Sequence, residues 1–291
     1  MDRTKIYSCL IAVTSLAGCS HAKRVVVGSK NFTEQVLLGE IIAQQIERGP
    51  QHLKVERKLN LGGTLLAEQA LNNKEIDMYP EYTGTAFTNV LKHDPIADPG
   101  VVFDRVRTEY LAGMHLQWLE PLGFNNTFAM TVRGSDAHNR HLETLTDAAN
   151  DPSGFALGAG YEFMQRPDGY GTLNSGYNIH WTAPPKTMDL GLLYTALKQN
   201  QVSMVASSTT DGMLTVLDVK VLKDDKHAFP PYQACIVARS DTLAATPGLQ
   251  EALSQLSGKF SDEKMQKLNY QVDGKHRQVA EVAREFLDGL K

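Results

Sequence analysis

The sequence has few cysteines and lacks the common nucleotide-binding and catalytic motifs. Only three cysteines occur in 291 residues, and Cys9 and Cys19 lie in an N-terminal segment that we expect to be processed. Cys235 is therefore expected to be the only free thiol of the mature chain, buried as a small apolar residue, and an internal disulfide is excluded. The sequence also has no Walker A loop, no G-x-G-x-x-G and no G-x-S-x-G. Those absences exclude the usual signatures of nucleotide-dependent enzymes and α/β-hydrolases.

An excess of positive charge, a metal-ligand cluster and a long apolar run are missing as well. The chain has 29 Lys and Arg against 33 Asp and Glu, which gives no indication of nucleic-acid binding. His138 and His141 lie three residues apart, but no further ligand completes a metal site, and we expect neither metal nor cofactor. No run of about 20 apolar residues follows the N-terminus, so the body is not expected to span a membrane. An enzyme is disfavoured, because no nucleophile–base pair and no metal set is seen.

The N-terminus has the pattern of an export signal. Arg3 and Lys5 precede a mostly apolar stretch over residues 6–13, and small residues follow. The tetrapeptide LAGC, which ends at Cys19, resembles a bacterial lipobox. We expect residues 1–18 to be removed and Cys19 to carry lipid, and an ordinary signal peptide cut nearby is the alternative. Either outcome predicts an exported protein of the periplasm or cell-envelope surface.

Beyond the signal, strand patterns alternate with helix patterns. Val25–Val27 form a β-branched run typical of a buried parallel strand, and an amphipathic helix follows, for which Asn31 or Thr33 is the expected cap. A second strand leads to a second helix, for which Thr64 is the expected cap. The alternation continues to the C-terminus and predicts an α/β protein with mostly parallel sheets, in which ligands bind at the carboxyl ends of strands.

The segment EIDMYPEYTGTAF, residues 75–87, contains the third predicted strand, IDMY, over residues 76–79. Tyr79, Tyr82, Thr83 and Thr85 all carry hydroxyl groups, and each hydroxyl needs a partner if it is buried. These residues are therefore a poor choice for a dry core and suggest the lining of a cleft for a small charged molecule. Tyr79 precedes a proline at a strand end, and we expect its side chain to pack in the protein and not to contact the ligand.

Six motifs occur in an order that resembles the substrate-binding proteins of osmoprotectant ABC importers. They are VGSKNFTEQ, DMYPEYTGTA, GFNNTFAM, RPDGYGTL, STTDG and LKDDKHAFPPY. The resemblance covers about residues 24–290 and extends to the OsmF (YehZ) branch of this family. It implies binding of glycine betaine, choline, carnitine or a related quaternary ammonium solute.

The resemblance also implies a type II-like periplasmic-binding-protein fold with two lobes. Each lobe would be a mixed, mostly parallel sheet flanked by helices, and a hinge would join them. Lobe I would comprise residues 24–125 and 229–291, and lobe II residues 126–228. The partners would be the small ligand, an inner-membrane permease with a separate ATPase, and the membrane through the lipid anchor. We expect a monomer that binds no nucleic acid.

Eight residues match the ligand-binding positions of the family. Aromatic rings would hold the trimethylammonium group by cation–π attraction, and Lys, Arg and hydroxyl donors would hold a carboxylate. The rings are Tyr82 and Tyr232, the cations are Lys30 and Arg166, and Thr85 is a carboxylate donor. The remaining three are Asn126, Phe128 and Ser208.

Two of these positions depart from the family pattern. Phe128 replaces a frequent tyrosine and keeps the ring face, whereas Ser208 replaces a frequent tyrosine and loses the face. One missing face, at about 1–2 kcal/mol, implies roughly 5- to 30-fold weaker binding of a simple betaine. Alternatively, the missing ring leaves space for a larger or different cation. Asn126, which lies beside the aromatic rings, could contact either kind of ligand. Two further alternatives remain, which are another polar solute in the same fold and an exported sensory or structural lipoprotein.

Overall fold

The computed structural model describes residues 24–49 and 53–290, so the expected signal peptide and Cys19 lie outside the described residues. Two five-stranded sheets flanked by helices make up the described chain. Within those residues, no helix combines the length and the apolar character needed to cross a bilayer.

The strands are short and are spread along the whole chain. They run over Arg24–Gly28 (β1), Lys54–Lys58 (β2), Met78–Tyr82 (β3), Leu116–Trp118 (β4), Phe128–Arg133 (β5), Leu157–Ala159 (β6), Lys186–Thr187 (β7), Met204–Ser208 (β8), Val219–Val221 (β9) and Ala234–Arg239 (β10).

The helices connect these strands and close the chain. They run over Thr33–Glu47 (α1), Thr64–Asn72 (α2), Thr83–Thr85 (α3), Pro99–Met114 (α4), Gly134–Arg140 (α5), Leu145–Asn150 (α6), Tyr161–Gln165 (α7), Tyr170–Tyr177 (α8), Leu193–Lys198 (α9), Ser240–Ala245 (α10), Leu249–Ser254 (α11), Asp262–Asp273 (α12) and Val279–Asp288 (α13). A π-helical turn spans Ala86–Val90, and 3-10 turns span Leu190–Leu192 and Gly212–Thr215.

Both sheets have the same topology. The first has the order β2-β1-β3-β10-β4 and the second the order β7-β6-β8-β5-β9. In each sheet one strand, β10 or β5, runs antiparallel to both of its neighbours, while the remaining observed pairs are parallel. The prediction of mixed, mostly parallel sheets flanked by helices is confirmed.

Strand β3 extends through a proline and reaches the residues of interest. Pro80 pairs with Ile236 of β10, whereas the ladder between β1 and β3 is limited to Val27 and Met78. A proline is tolerated here because β1 requires no N–H from that position. The strand therefore ends at Tyr82, further along than the sequence pattern indicates.

Helix caps follow the sequence predictions only in part. The capping position of α1 is Phe32, with no side-chain hydrogen bond, so Asn31 and Thr33 are not the cap. The cap of α2 is Gly63, and Thr64 is the first helical residue, which corrects the second prediction. Both helices begin at the carboxyl edge of the first sheet, where side chains are used for other contacts, as described below.

Three clusters of buried apolar side chains form the core. The largest draws on both sheets and on the C-terminal helices. A second lies on the other face of the first sheet and contains Cys235, which is fully buried as predicted. Burial raises the pKa of this thiol well above its ordinary value, which leaves it unreactive.

The chain passes between the two sheets twice, and the two passages lie side by side. One lies between β4 and β5, and the other lies between β9 and β10. Asn125 forms an antiparallel bridge with Gln233, and the Asn126 amide donates a 3.0 Å hydrogen bond to the Tyr232 carbonyl. That these passages act as a hinge, and that they bound the two lobes as given above, stays a prediction.

Candidate functional site

The carboxyl ends of the parallel strands and the amino ends of the antiparallel strands meet at the cleft between the sheets. Tyr82 ends β3 and pairs with Ala234, the first residue of β10. Ser208 ends β8 and pairs with Phe128, the first residue of β5. Lys30 follows β1 by two residues. Sheet topology therefore places these side chains at the edges of the two sheets that face the cleft.

Lys30 and Tyr82 lie together on the side of the first sheet. The Lys30 ammonium is 5.0 Å from the centre of the Tyr82 ring and donates a 2.6 Å hydrogen bond to Oε1 of Glu81. It also donates to the Thr64 hydroxyl at 3.3 Å. The Lys30 and Glu81 side chains are almost completely buried, so this ion pair is desolvated. Because an ammonium has three N–H groups, one remains after these two contacts.

Glu34 joins two predicted site residues, Tyr82 and Asn126, and was not anticipated from the sequence. The Tyr82 hydroxyl and Nδ2 of Asn126 each donate to its Oε1 at 2.6 Å. The Thr210 hydroxyl and Nδ2 of Asn269 donate to its Oε2 at 2.5 and 2.9 Å. Two donors on each oxygen satisfy a carboxylate completely. Burial raises the pKa of Glu34, and the four hydrogen bonds oppose this shift.

Ser208 extends the same network. Its hydroxyl donates a 2.5 Å hydrogen bond to Oδ1 of Asn126 and lies 3.1 Å from the Thr210 hydroxyl. Asn126 is therefore fixed by Ser208 on one side and by Glu34 on the other. Ser208 therefore contributes a hydroxyl group, and no aromatic ring, to this part of the site.

Arg166 forms the second group with the remaining predicted residues. Its guanidinium donates two hydrogen bonds to Asp168, at 2.9 and 2.6 Å, and a third to the Thr85 hydroxyl at 3.1 Å. Its Cζ lies 5.0 Å from the centre of the Phe128 ring and 5.7 Å from that of Tyr232. These bonds use Nε and Nη2, and within residues 24–49 and 53–290 no hydrogen bond is seen from Nη1.

Asp168 is a third buried carboxylate, after Glu81 and Glu34, that the sequence did not indicate. Besides Arg166, it accepts hydrogen bonds from the hydroxyls of Tyr232 and Thr88, at 2.7 and 2.9 Å, and from Asn89 at 3.2 Å. Burial by itself would raise the pKa of Asp168, but the Arg166 hydrogen bonds and charge hold it below its ordinary value. The Arg166–Asp168 pair is therefore fully ionised at neutral pH.

A fourth acidic residue, Glu162, connects the two sides of the cleft. The Thr64 amide, at the start of α2, donates a 2.8 Å hydrogen bond to Oε1 of Glu162 in α7. A Cβ on Gly63 would lie 2.1 Å from that oxygen, so glycine permits the approach. Nη1 of Arg166 is 3.8 Å from the other Glu162 oxygen. These contacts close the cleft over the site.

All eight predicted residues therefore lie in two adjoining groups. Lys30, Tyr82, Asn126 and Ser208 form the first group, and Thr85, Arg166, Phe128 and Tyr232 form the second. The bond from the Asn126 amide to the Tyr232 carbonyl links the groups. Whether these residues contact a ligand stays a prediction. The arrangement can hold a cation over ring faces and present N–H donors beside it.

The carboxylates that hold the site together had only a weak sequence signal. Glu34 and Asp168 lie inside the motifs VGSKNFTEQ and RPDGYGTL, four and two residues from the predicted site residues Lys30 and Arg166. Their partners are far away in the sequence, since Asn269 is 235 residues from Glu34. No local pattern predicts such contacts.

A profile described as the substrate binding domain of an ABC-type glycine betaine transport system matches residues 23–289. The chain belongs to this family. Its members are solute-binding proteins of ABC importers, not enzymes, and the family prediction is confirmed.

Several relatives of this family are similar over most of the chain. A Helicobacter pylori protein named ergothioneine transport permease/ergothioneine binding protein is 36% identical over 92% of this chain and 48% of its own length, so the chain spans about half of that relative. The carnitine transport binding protein OpuCC of Listeria monocytogenes is 35% identical, covering 93% of this chain and 88% of its own. Escherichia coli YehZ, a glycine betaine-binding protein, is 27% identical over 91% of this chain and 90% of its own.

A solved structure agrees with the family assignment. A crystal structure named as a glycine betaine/carnitine/choline ABC transporter has a TM-score of 0.78 and 32% identity, covering 91% of this chain and 98% of that one. The two-lobe binding-protein fold expected from the sequence is therefore confirmed.

Proposed function

We propose that this protein binds a quaternary ammonium solute of the betaine type in the cleft and delivers it to an ABC permease. The observation that carries the proposal is the position of the chain's own cations. The Lys30 ammonium lies over the Tyr82 ring, and the Arg166 guanidinium lies near the Phe128 and Tyr232 rings. Buried rings at this distance attract a cation, and a trimethylammonium group would use the ring faces that Lys30 and Arg166 leave uncovered.

The donors that remain on the two cations support a carboxylate-bearing ligand. Lys30 keeps one N–H, and Arg166 keeps those of Nη1, after the contacts with Glu81 and Asp168. A ligand carboxylate would accept from these groups. The relatives named for glycine betaine, carnitine and ergothioneine support the same class, because all three molecules join a trimethylammonium group to a carboxylate.

The loss of a ring at Ser208 supports a second ligand within this class. A small hydroxyl in that position leaves more room than a tyrosine, and the Helicobacter relative is named for ergothioneine, which carries an additional ring. We therefore include ergothioneine with glycine betaine, choline and carnitine as candidate ligands.

Titration calorimetry of residues 20–291 with these four ligands tests the proposal. We expect at least one to bind, and glycine, which has the carboxylate without the methyl groups, to serve as the matched negative control. A ligand at about 100 times its Kd should add about 2.7 kcal/mol to the free energy of unfolding. Absence of binding and of thermal stabilisation by all four would contradict the proposal.

The anchor and the location belong to the same proposal. Substrate-binding proteins of ABC importers work outside the cytoplasm, and the LAGC sequence at Cys19 supports lipid attachment. Cys19→Ser should move the protein from the membrane fraction to the soluble fraction of the cell envelope. An unchanged distribution would contradict lipidation and leave the solute-binding function untouched.

A further inference from the structure

Glu34 carries a buried charge that the protein itself leaves unpaired. Among the other buried charges of the site, Lys30 is neutralised by Glu81. Arg166 is neutralised in the same way by Asp168. Glu34 is only 3% exposed, and in the described ranges 24–49 and 53–290 no lysine, arginine or histidine forms an ion pair with it. The buried groups of the site therefore leave one excess negative charge, at Glu34.

The donors around Glu34 favour its ionised form. Nδ2 of Asn269 lies 2.9 Å from Oε2 of Glu34 and 2.9 Å from the Thr210 carbonyl, and a carbonyl only accepts, so this nitrogen is correctly placed as a donor. Oδ1 of Asn126 accepts from the Ser208 hydroxyl, which turns Nδ2 of Asn126 toward Oε1 of Glu34. An amide N–H therefore meets each carboxylate oxygen. These hydrogen bonds oppose the rise in the pKa of Glu34 that burial causes.

The surroundings of Glu34 are negative rather than positive. Burial, and then the Glu34 charge, raise the pKa of Tyr82. The Glu34 charge also adds to the burial that raises the pKa of Asp211 from 3.8 to about 6. Oδ1 of Asn269, which lies in the same cluster, is buried and has no hydrogen-bond partner in the part of the chain that the structure describes. A cation placed beside this cluster would be attracted by every one of these groups.

Glu34 lies next to the residues that are expected to hold the ligand cation. Its Oε1 is 2.6 Å from the Tyr82 hydroxyl and 2.6 Å from Nδ2 of Asn126. A cation over the Tyr82 ring would therefore lie on the order of 8 Å from this oxygen. At that distance, and with an effective dielectric constant of about 20, two opposite unit charges attract strongly enough to change an affinity by about 30-fold.

We propose that Glu34 is a specificity-determining residue, whose negative charge selects a positively charged ligand group for the Tyr82 side of the site. This rests on the proposed function, because a quaternary ammonium ligand supplies the cation. An uncharged group of the same shape would make the same apolar contacts without the attraction. The charge also implies that choline binds, since its ammonium group meets Glu34 although choline has no carboxylate for Lys30 and Arg166.

Calorimetry with choline and 3,3-dimethylbutan-1-ol tests this role on the full chain. The alcohol has the shape of choline, with a carbon atom in place of the charged nitrogen. The wild type should bind choline at least about 30-fold more tightly than the alcohol. Glu34→Gln should weaken choline binding by about 30-fold and weaken binding of the alcohol much less, because the lost attraction acts only on a cation.

A second variant restores the charge at a neighbouring position. Glu34→Gln alone turns an N–H group toward the amide of Asn126, so that two donors face each other. Glu34→Gln/Asn126→Asp removes this conflict, because the new glutamine donates to the new aspartate, which still accepts from Ser208. The negative charge then lies one hydrogen bond away from its original place. Choline affinity should recover most of the 30-fold loss, and urea unfolding checks that both variants fold.

Three results would overturn the inference. They are an unchanged choline affinity in Glu34→Gln, equal losses for choline and the alcohol, and a folded double variant in which choline binding does not recover. A failure of the proposed function gives a different result, in which the wild type binds none of the four candidate ligands. A wild type that binds glycine betaine or carnitine but not choline removes only the inference about Glu34.

Discussion

The Tyr82 hydroxyl donates a 2.6 Å hydrogen bond to Oε1 of Glu34, and both side chains are buried. The hydroxyl is therefore committed to the protein's own carboxylate, and the ring is the part of Tyr82 that remains for a ligand. Burial and the Glu34 charge raise the pKa of Tyr82 well above its ordinary value, so the phenol stays protonated at any physiological pH.

Substitution of Tyr82 should separate stability from ligand binding. Tyr82→Phe removes one of four donors to Glu34, and we expect a loss of about 1–3 kcal/mol in the free energy of unfolding. Ligand affinity should change little, because the ring face remains. Tyr82→Ala removes the face and should weaken binding by about 2 kcal/mol, roughly 30-fold. Calorimetry and urea unfolding measure the two quantities, and equal losses of affinity in both variants would contradict a role for the ring face.

Gly84 should be required for the position of Tyr232. A Cβ on Gly84 would lie 2.5 Å from the Pro231 carbonyl oxygen and 2.8 Å from the Tyr232 ring. Because backbone must shift, Gly84→Ala should cost about 1–3 kcal/mol of stability and weaken ligand binding. Gly113→Ala in α4 is the matched control, since a Cβ there meets nothing within 4 Å, and it should stabilise the helix by about 0.5–1 kcal/mol. Similar unfolding midpoints for the two variants would contradict this account.

More of the fold than of the site could be predicted from the sequence. Strand and helix periodicity predicts the alternation of strands and helices that is observed. Periodicity fails at Phe32 and Gly63, because tertiary contacts fix where those helices start. Thr64 donates its amide to Glu162 across the cleft instead of capping its own helix.

The site residues were found from motifs, but their electrostatics were not. The two expected cations are each neutralised by a carboxylate, Lys30 by Glu81 and Arg166 by Asp168. Glu81 is 51 residues from Lys30, and strand order alone brings them together. A single sequence contains no signal that pairs charged residues so far apart along the chain.

Stability should depend on pH through Asp211. This residue caps the 3-10 turn Gly212–Thr215, and burial raises its pKa from 3.8 to about 6. The native state therefore binds this proton more tightly than the unfolded state, so the free energy of unfolding falls as pH rises from about 4 to about 6. Asp211→Asn removes this dependence and should be more stable than the wild type at pH 7, by at most about 3 kcal/mol, with no gain at pH 4. Urea unfolding across this range is the measurement, and a difference that is independent of pH would contradict the assignment.

Lys30 should matter to the fold and to the ligand for different reasons. Lys30→Met leaves Glu81 buried without its cation and should cost about 3–5 kcal/mol of stability. The double variant Lys30→Met/Glu81→Gln removes both charges and should recover most of that loss, because the glutamine keeps the shape of the site. In this stable background, a ligand carboxylate has still lost its donor, so glycine betaine should bind about 30-fold more weakly while choline is spared. Calorimetry with both ligands measures these affinities. Unchanged glycine betaine affinity in the double variant would show that Lys30 only neutralises Glu81 and does not bind the ligand carboxylate.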